Sequence, residues 1–352
     1  MFHKALWMRN FKQGKTLISL IWVFSIALLP IRYLLTANSI ESIINLMPTT
    51  EFRSLYSYFF RYLTILLPLS FLFILLSSAL MGGERKNKGM EFMMSLPFSR
   101  KDIFLSKWFF GVIHLLGITF VNLILMAIIH SFTIHAKYTL FSNFLVFFPF
   151  MFISLLTIYT VGLLIGTLAG KVIVQIVLTI ILTVLPLGLY LLIRGMIGWH
   201  INWIQGTINL EHWLWNLKSF FGNLSLISIN RFTFGNHTNP AFNPQGPTTN
   251  DYIILGLYLI PSLYIGLKLF KKMPYEKSDA LIIHQKFEPL FLIGVVGCSA
   301  LLAGELFASS VRGMGSWGAR LIWYYFGMIF IGGITWVLIK KIMIKEDKKE
   351  KS

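Results

Sequence analysis

The stretch FSNFLVFFPFMFISLLTIYTVGLLIGTLAGKVIVQIVLTIILTVLPLGLYLLI, residues 141–193, contains one charged side chain, Lys171. A chain has no soluble use for an apolar run of that length. Each arm beside Lys171 is long enough to cross a hydrocarbon core of ~30 Å, so two spanning helices are expected, Phe141–Leu168 and Val172–Ile193. Working outward, comparable runs occupy Leu17–Leu35, Tyr58–Met81, Ile103–Ile129, Tyr252–Phe270, Pro289–Ala308 and Leu321–Ile339. The predicted fold class is an all-α polytopic membrane protein with about eight transmembrane helices, forming one transmembrane domain over residues 1–352. Composition agrees: 56% of the 352 residues are hydrophobic and 13% charged, against about 25% charged in soluble domains.

The formal charge of +17 does not point to nucleic acid, because most lysines and arginines lie between apolar runs. With the N-terminus inside, 22 of the 31 basic residues fall on the cytoplasmic side and 9 on the other. That asymmetry selects cytoplasmic termini; a bacterial plasma-membrane location is expected from the Lys-, Ile- and Phe-rich composition. The first run follows basic residues, yet it lacks a small-x-small cleavage site and is expected to stay as an anchor. Ahead of it, residues 1–15 gather Phe2, Leu6, Trp7 and Phe11 on one helical arc with Lys4, Lys12 and Lys15 opposite. This pattern predicts an interfacial helix.

No polar interval is long enough for a soluble catalytic domain. Gly166-Thr-Leu-Ala-Gly170-Lys171-Val172 imitates a phosphate loop, but it has three residues between its glycines and no Ser/Thr after Lys171. Gly162, Gly166 and Gly170 read better as a small-residue stripe at a spacing of four, serving helix packing within the chain or at a subunit interface. No His-Glu-x-x-His pair or Gly-x-Ser-x-Gly elbow is present, and Cys298 is the single cysteine. Neither intramembrane catalysis nor a metal site is expected.

The most informative polar stretch is ERKNKGMEFMMSLPFSRKD, residues 84–102. Met90, Met93, Met94 and Pro97, with Phe92 and Leu96, recur at three and four. They predict a short amphipathic helix with a methionine-rich face, ended by Pro97. Ser99 and Asp102 form a capping-box-like start for the third span. A short surface helix joined by a sharp turn to a spanning helix is a lever.

The pattern Glu84, Gly89, Glu91, Ser95-Leu96-Pro97 and Ser99-Arg100, followed by Lys107, resembles the coupling-helix region of type-two ABC transporter permeases, the ABCG-like exporter class. Phe270-Lys-Lys-Met-Pro-Tyr-Glu276-Lys-Ser-Asp279-Ala is similar to the segment after the sixth span of Gram-positive Ytr-type permeases. The resemblance implies an ATP-driven exporter of an amphipathic ligand such as a lipid-like compound or membrane-active peptide antibiotic. It also implies a separate ATPase that binds ATP and Mg, and a second permease, identical or a sister. Glu84, Gly89, Glu91, Met94, Leu96, Pro97, Ser99 and Arg100 would couple to that ATPase, with Glu276 and Asp279 as a second contact. The alternative is a non-transporting sensor or immunity component that binds a membrane-active antibiotic. Two spans over 289–339 exceed the family's pattern of six.

The outer interval, residues 195–250, is rich in aromatic residues, among them Trp199, Trp203, Trp213 and Trp215. It is expected to hold short helices on or dipping into the outer leaflet, either as anchors or as an external ligand surface. Glu305, the one acidic residue inside a predicted span, is expected to pair with Arg312 or Arg320. His114 and Asn122 face one direction on the third span and are expected to make buried hydrogen bonds.

Overall fold

The computed structural model describes residues 3–46, 62–86, 97–205, 211–226, 247–273, 281–311 and 317–351. These residues form α1 (Lys4–Ile26), a π-helical turn (Ala27–Ile31), α2 (Arg32–Leu46), α3 (Tyr62–Ser78), a second π-turn (Ala79–Gly83) and α4 (Glu84–Lys86). They continue through α5 (Arg100–Phe132), α6 (His135–Tyr138), α7 (Ser142–Leu168), α8 (Val172–Gln205) and α9 (Glu211–Leu224). After α10 (Thr249–Lys271), a 3-10 turn (Gln285–Phe287) leads into α11 (Glu288–Ser310) and α12 (Trp317–Lys351). Among the described residues, eight helical stretches are long and apolar enough to span a membrane, at the places expected from the sequence.

The helices divide into two compact units, residues 1–180 with 226–279 and residues 181–225 with 280–352. In the first unit α7 is the central post. It is apolar on every side and packs against α3, α5 and α10, so Phe147, Met151, Leu155 and Tyr159 are fully buried. The expected N-terminal helix is present, and α1 runs unbroken from it into the first span. Nothing between Lys15 and Leu17 breaks a helix, and the face carrying Leu6, Asn10, Gly14 and Ile18 packs inward. A β-carbon on Gly14 would lie 3.1 Å from the Phe110 ring, which shows how closely α1 approaches α5. Pro30 cannot donate a backbone hydrogen bond, and the helix passes it through the first π-turn.

Asn122 is buried and donates to Ser25 Oγ at 3.0 Å and to the Ile118 carbonyl at 2.8 Å, while His114 stacks on Trp7. At the far end of α5, Tyr33, His130, His135 and Thr139 form a buried polar knot. The Tyr33 hydroxyl meets His130 Nδ1 at 3.1 Å, and His135 Nε2 meets the Tyr33 carbonyl at 3.1 Å with the two rings stacked.

In the second unit α11 and α12 form a tight antiparallel pair. Gly327 lies under Phe307 and Gly332 under Ala300, so missing side chains let the helices close. Helix α9 is amphipathic and runs back along α8, with Phe221 stacked on Tyr190 and Ser225 donating to the Thr183 carbonyl at 3.0 Å. Thr183 lies 22 residues from the end of α8, about 33 Å along the helix, so α9 is a re-entrant arm.

Candidate functional site

The second π-turn, Ala79–Gly83, leaves backbone carbonyls without their usual helical donors. Side chains from two other helices supply them: Gln13 Nε2 donates to the Ala79 carbonyl at 2.6 Å, and Lys107 Nζ to the Leu80 carbonyl at 2.7 Å. The same ammonium sits 2.7 Å from Glu84 Oε2, and Arg9 Nε reaches Glu84 Oε1 at 3.2 Å. The Lys107 side chain is 0% exposed and that of Glu84 is 3%, whereas Arg9 keeps 28% of its surface. One carboxylate thus holds together α1, α4 and α5. An ion pair this deep is held because removing either partner leaves the other uncompensated. Tyr159 on α7 adds a fourth helix, donating to the Lys107 carbonyl at 2.6 Å, and its ring fills the space left by Gly111.

The neighbouring arginines extend this cluster to α10. Arg85 is buried, donates to the Ala169 carbonyl just past the end of α7, and places Nη2 3.1 Å from Met273 Sδ. Burial pushes its guanidinium down to about 10, with the adjacent Glu84 charge pulling the other way. Arg100 Nη1 donates to the Lys271 carbonyl at 2.8 Å and to the Met273 carbonyl at 3.1 Å, where the C-terminal end of α10 favours a cation. Residues 85 and 100 bracket the segment 87–96, so both of its roots are bound to Met273. The two polar stretches singled out in the sequence are thereby brought to one place.

Gly89, Glu91, Met94 and Leu96 lie outside the described residues, as do Glu276 and Asp279. Pro97 is exposed beside the cap, and Ser99 Oγ accepts from the Asp102 amide at 3.1 Å while donating to its carboxylate at 2.6 Å, the start expected for α5. Glu84 is turned inward rather than outward. Gly162 and Gly166 pack inside the chain: Gly162 faces Ser77, and a β-carbon on Gly166 would lie 2.6 Å from Gln175 Nε2 and 2.9 Å from Met81 Cβ. Gly170 is not on that stripe, because α7 ends at Leu168 and Gly170 belongs to the turn into α8. Gln13, Gln175 and Met273 were missed in the sequence. Only the spacing of Arg9 and Gln13, four apart on one helical face, could have marked part of the cluster.

Trp199 is a core residue of the second unit, 6% exposed, packed with Ala308 and Tyr324. It is not part of a surface. Trp203 lies on α8, and Trp213 and Trp215 on α9, with side chains outside those described. Glu305 accepts a hydrogen bond from Trp199 Nε1 at 2.8 Å, while Arg320 stacks over the Trp317 ring at 4.6 Å. The expected pairing of Glu305 with Arg320 is therefore replaced by two aromatic contacts, and Arg312 lies outside the described residues.

No curated protein and no solved structure matches this chain. A family model described as ABC-2 family transporter protein matches residues 11–227, which takes in α1 beyond its first turns, the charge cluster apart from Arg9 and the Lys271 and Met273 contacts, and the re-entrant α9. With that span exceeding half of the sequence and eight apolar helices around it, the chain belongs to the ABC-2 transporter family and is a multi-pass membrane permease.

Proposed function

We propose that this chain is the permease subunit of an ATP-driven exporter of an amphipathic ligand, energised by separate ATPase subunits that bind ATP and Mg. It works as a dimer with itself or a sister permease, with the charge-cluster end and both termini in the cytoplasm. The family assignment and the 22 to 9 distribution of basic residues support this orientation.

The observation that carries the reading is the clamping of Arg85 and Arg100 to the end of α10. An ATPase that grips Glu91, Met94 and Leu96 moves a segment whose two roots are tied to α10, and through Glu84 and Lys107 to α1 and α5. Motion delivered at one short segment is thus distributed over several spans. Glu84 acts in this scheme as the internal anchor of the coupling segment, and the methionine-rich face as its contact. Glu276 and Asp279, beginning three residues past Met273, form a second contact carried by the same anchor.

The test is affinity purification in mild detergent with an ATPase assay and ATP-dependent ligand movement in vesicles. A stoichiometric ATPase is expected, and Glu91→Ala with Met94→Ala should abolish its capture. Arg100→Gln should retain capture but lose ligand-stimulated hydrolysis. A chain that purifies without any ATPase overturns the reading. Ligand-dependent hydrolysis with no ligand movement would identify a sensor.

A further inference from the structure

Two cations converge where α8 and α9 run side by side. The Ser225 hydroxyl on the Thr183 carbonyl, at 3.0 Å, and the Phe221 ring stacked on Tyr190, with centroids 5.7 Å apart, fix the two helices antiparallel. Arg194 follows Tyr190 by four residues on α8, and Lys218 precedes Phe221 by three on α9. Because the helices run in opposite directions, both steps lead the same way, to one turn above the stacked rings on the faces that meet. Both side chains are partly exposed. The next residue on that face of α8 is Gly198, and nothing lies within 4 Å of where its β-carbon would stand, so the groove is open directly above Arg194. Leu191 and Phe220, next in sequence to the stacked pair, are exposed apolar side chains, so the groove borders lipid. Arg194 is 22 residues from the start of α8. That is about 33 Å, which carries it across a hydrocarbon core of ~30 Å to the headgroup level of the leaflet opposite Lys171.

Among the described residues no carboxylate pairs with Arg194. Glu305, which rests against the adjacent Gly195, accepts from Trp199 instead. Two positive charges on facing sides of an open groove repel each other unless an anion lies between them. A guanidinium fork with an ammonium beside it suits the oxygens of a phosphate diester. We infer that Arg194 and Lys218 bind the phosphate of an anionic phospholipid headgroup, phosphatidylglycerol. Tyr190 and Phe221 floor the groove, the glycerol headgroup occupies the space over Gly198, and the acyl chains pass over Leu191 and Phe220. An anionic headgroup is selected because choline or ethanolamine would bring a third positive charge to the two already there. Such a site binds lipid whether or not the chain moves a ligand.

Native mass spectrometry of the full chain in micelles doped with dioleoyl phosphatidylglycerol, phosphatidylcholine or phosphatidylethanolamine tests this. Retention of the glycerol lipid is expected to exceed the other two by about tenfold, the worth of one charge-assisted hydrogen bond. Arg194→Gln and Lys218→Gln should each remove that preference, and Gly198→Leu should do so with both cations in place, by filling the opening. Lys137→Gln, which removes an exposed lysine from the connection between α5 and α7, should leave it unchanged. Photolabelling of the unaltered chain with phosphatidylglycerol carrying a diazirine in its headgroup makes the test independent of folding, with adducts expected in the peptides that hold 190–198 and 217–221. Inorganic phosphate and glycerophosphoglycerol, which lack acyl chains, should not compete. Equal retention of all three lipids, a preference that survives Arg194→Gln and Lys218→Gln or falls equally with Lys137→Gln, adducts confined to other peptides, or full competition by either tail-less anion would overturn the proposal.

Discussion

Lys107 and Glu84 show how a single residue governs this molecule. A buried ammonium and carboxylate at 2.7 Å are each other's main compensation, with Arg9 contributing from a more exposed position. Glu84→Gln and Lys107→Gln should each destabilise the chain by about 3–5 kcal/mol, and the double variant by less than the sum of the two. Melting of the detergent-solubilised variants measures it; additive losses would show that the pair is not coupled. His135, in the connection between α5 and α7, titrates in the opposite sense to a salt-bridged histidine. Burial pushes its imidazole down to about 4 from the ordinary 6.5. The folded chain therefore keeps it neutral while the unfolded chain takes up a proton below pH 6.5, and stability falls as pH drops from about 6.5 towards 4. The loss reaches about 3 kcal/mol at most for a shift of this size. His135→Phe should flatten the melting temperature over that pH range.

At the scale of elements, helices meet where side chains are missing. Gly162 on α7 faces Ser77 of α3, and Gln175 at the start of α8 donates to the Gly162 carbonyl at 2.9 Å. Gly162→Ala forces a methyl group into the Ser77 side chain and should cost about 1–3 kcal/mol, read as a lower melting temperature in detergent. Relief of that cost by Ser77→Gly would localise it to this contact. The start of α5 depends on Ser99, whose hydroxyl accepts from the Asp102 amide. Ser99→Ala should cost about 1 kcal/mol and fray the first turn, which bears Arg100. Faster amide exchange confined to that turn, with the rest of α5 unchanged, is the expected signature.

For the whole molecule, the distribution of basic residues predicts a definite orientation. Cys298 is the only cysteine, so a Cys298→Ser background permits single-cysteine labelling. In intact cells, Lys137→Cys should react with an impermeant maleimide, and Lys286→Cys should react only after permeabilisation. The reverse pattern would invert the chain in the membrane and place the charge cluster outside. Orientation matters because the coupling reading needs Arg85, Arg100 and Met273 on the side where ATP is hydrolysed.

The eight spans, the cap at Ser99 and the family were all legible in the sequence. Apolar length and end signals are local properties, and a bilayer leaves a long uncharged run no structure except a helix. The continuity of α1, the inward turn of Glu84 and the extension of α8 to Gln205 were not legible, because each depends on what a neighbouring helix offers. Only the tertiary structure joined the two ends that bracket residues 87–96, Arg85 and Arg100, at Met273, a residue with no local mark of importance. It likewise moved Trp199 from an expected surface into a core and gave it to Glu305. Hydropathy reports how far a segment can go into the membrane, whereas a buried charge finds its partner through packing between segments far apart in the chain.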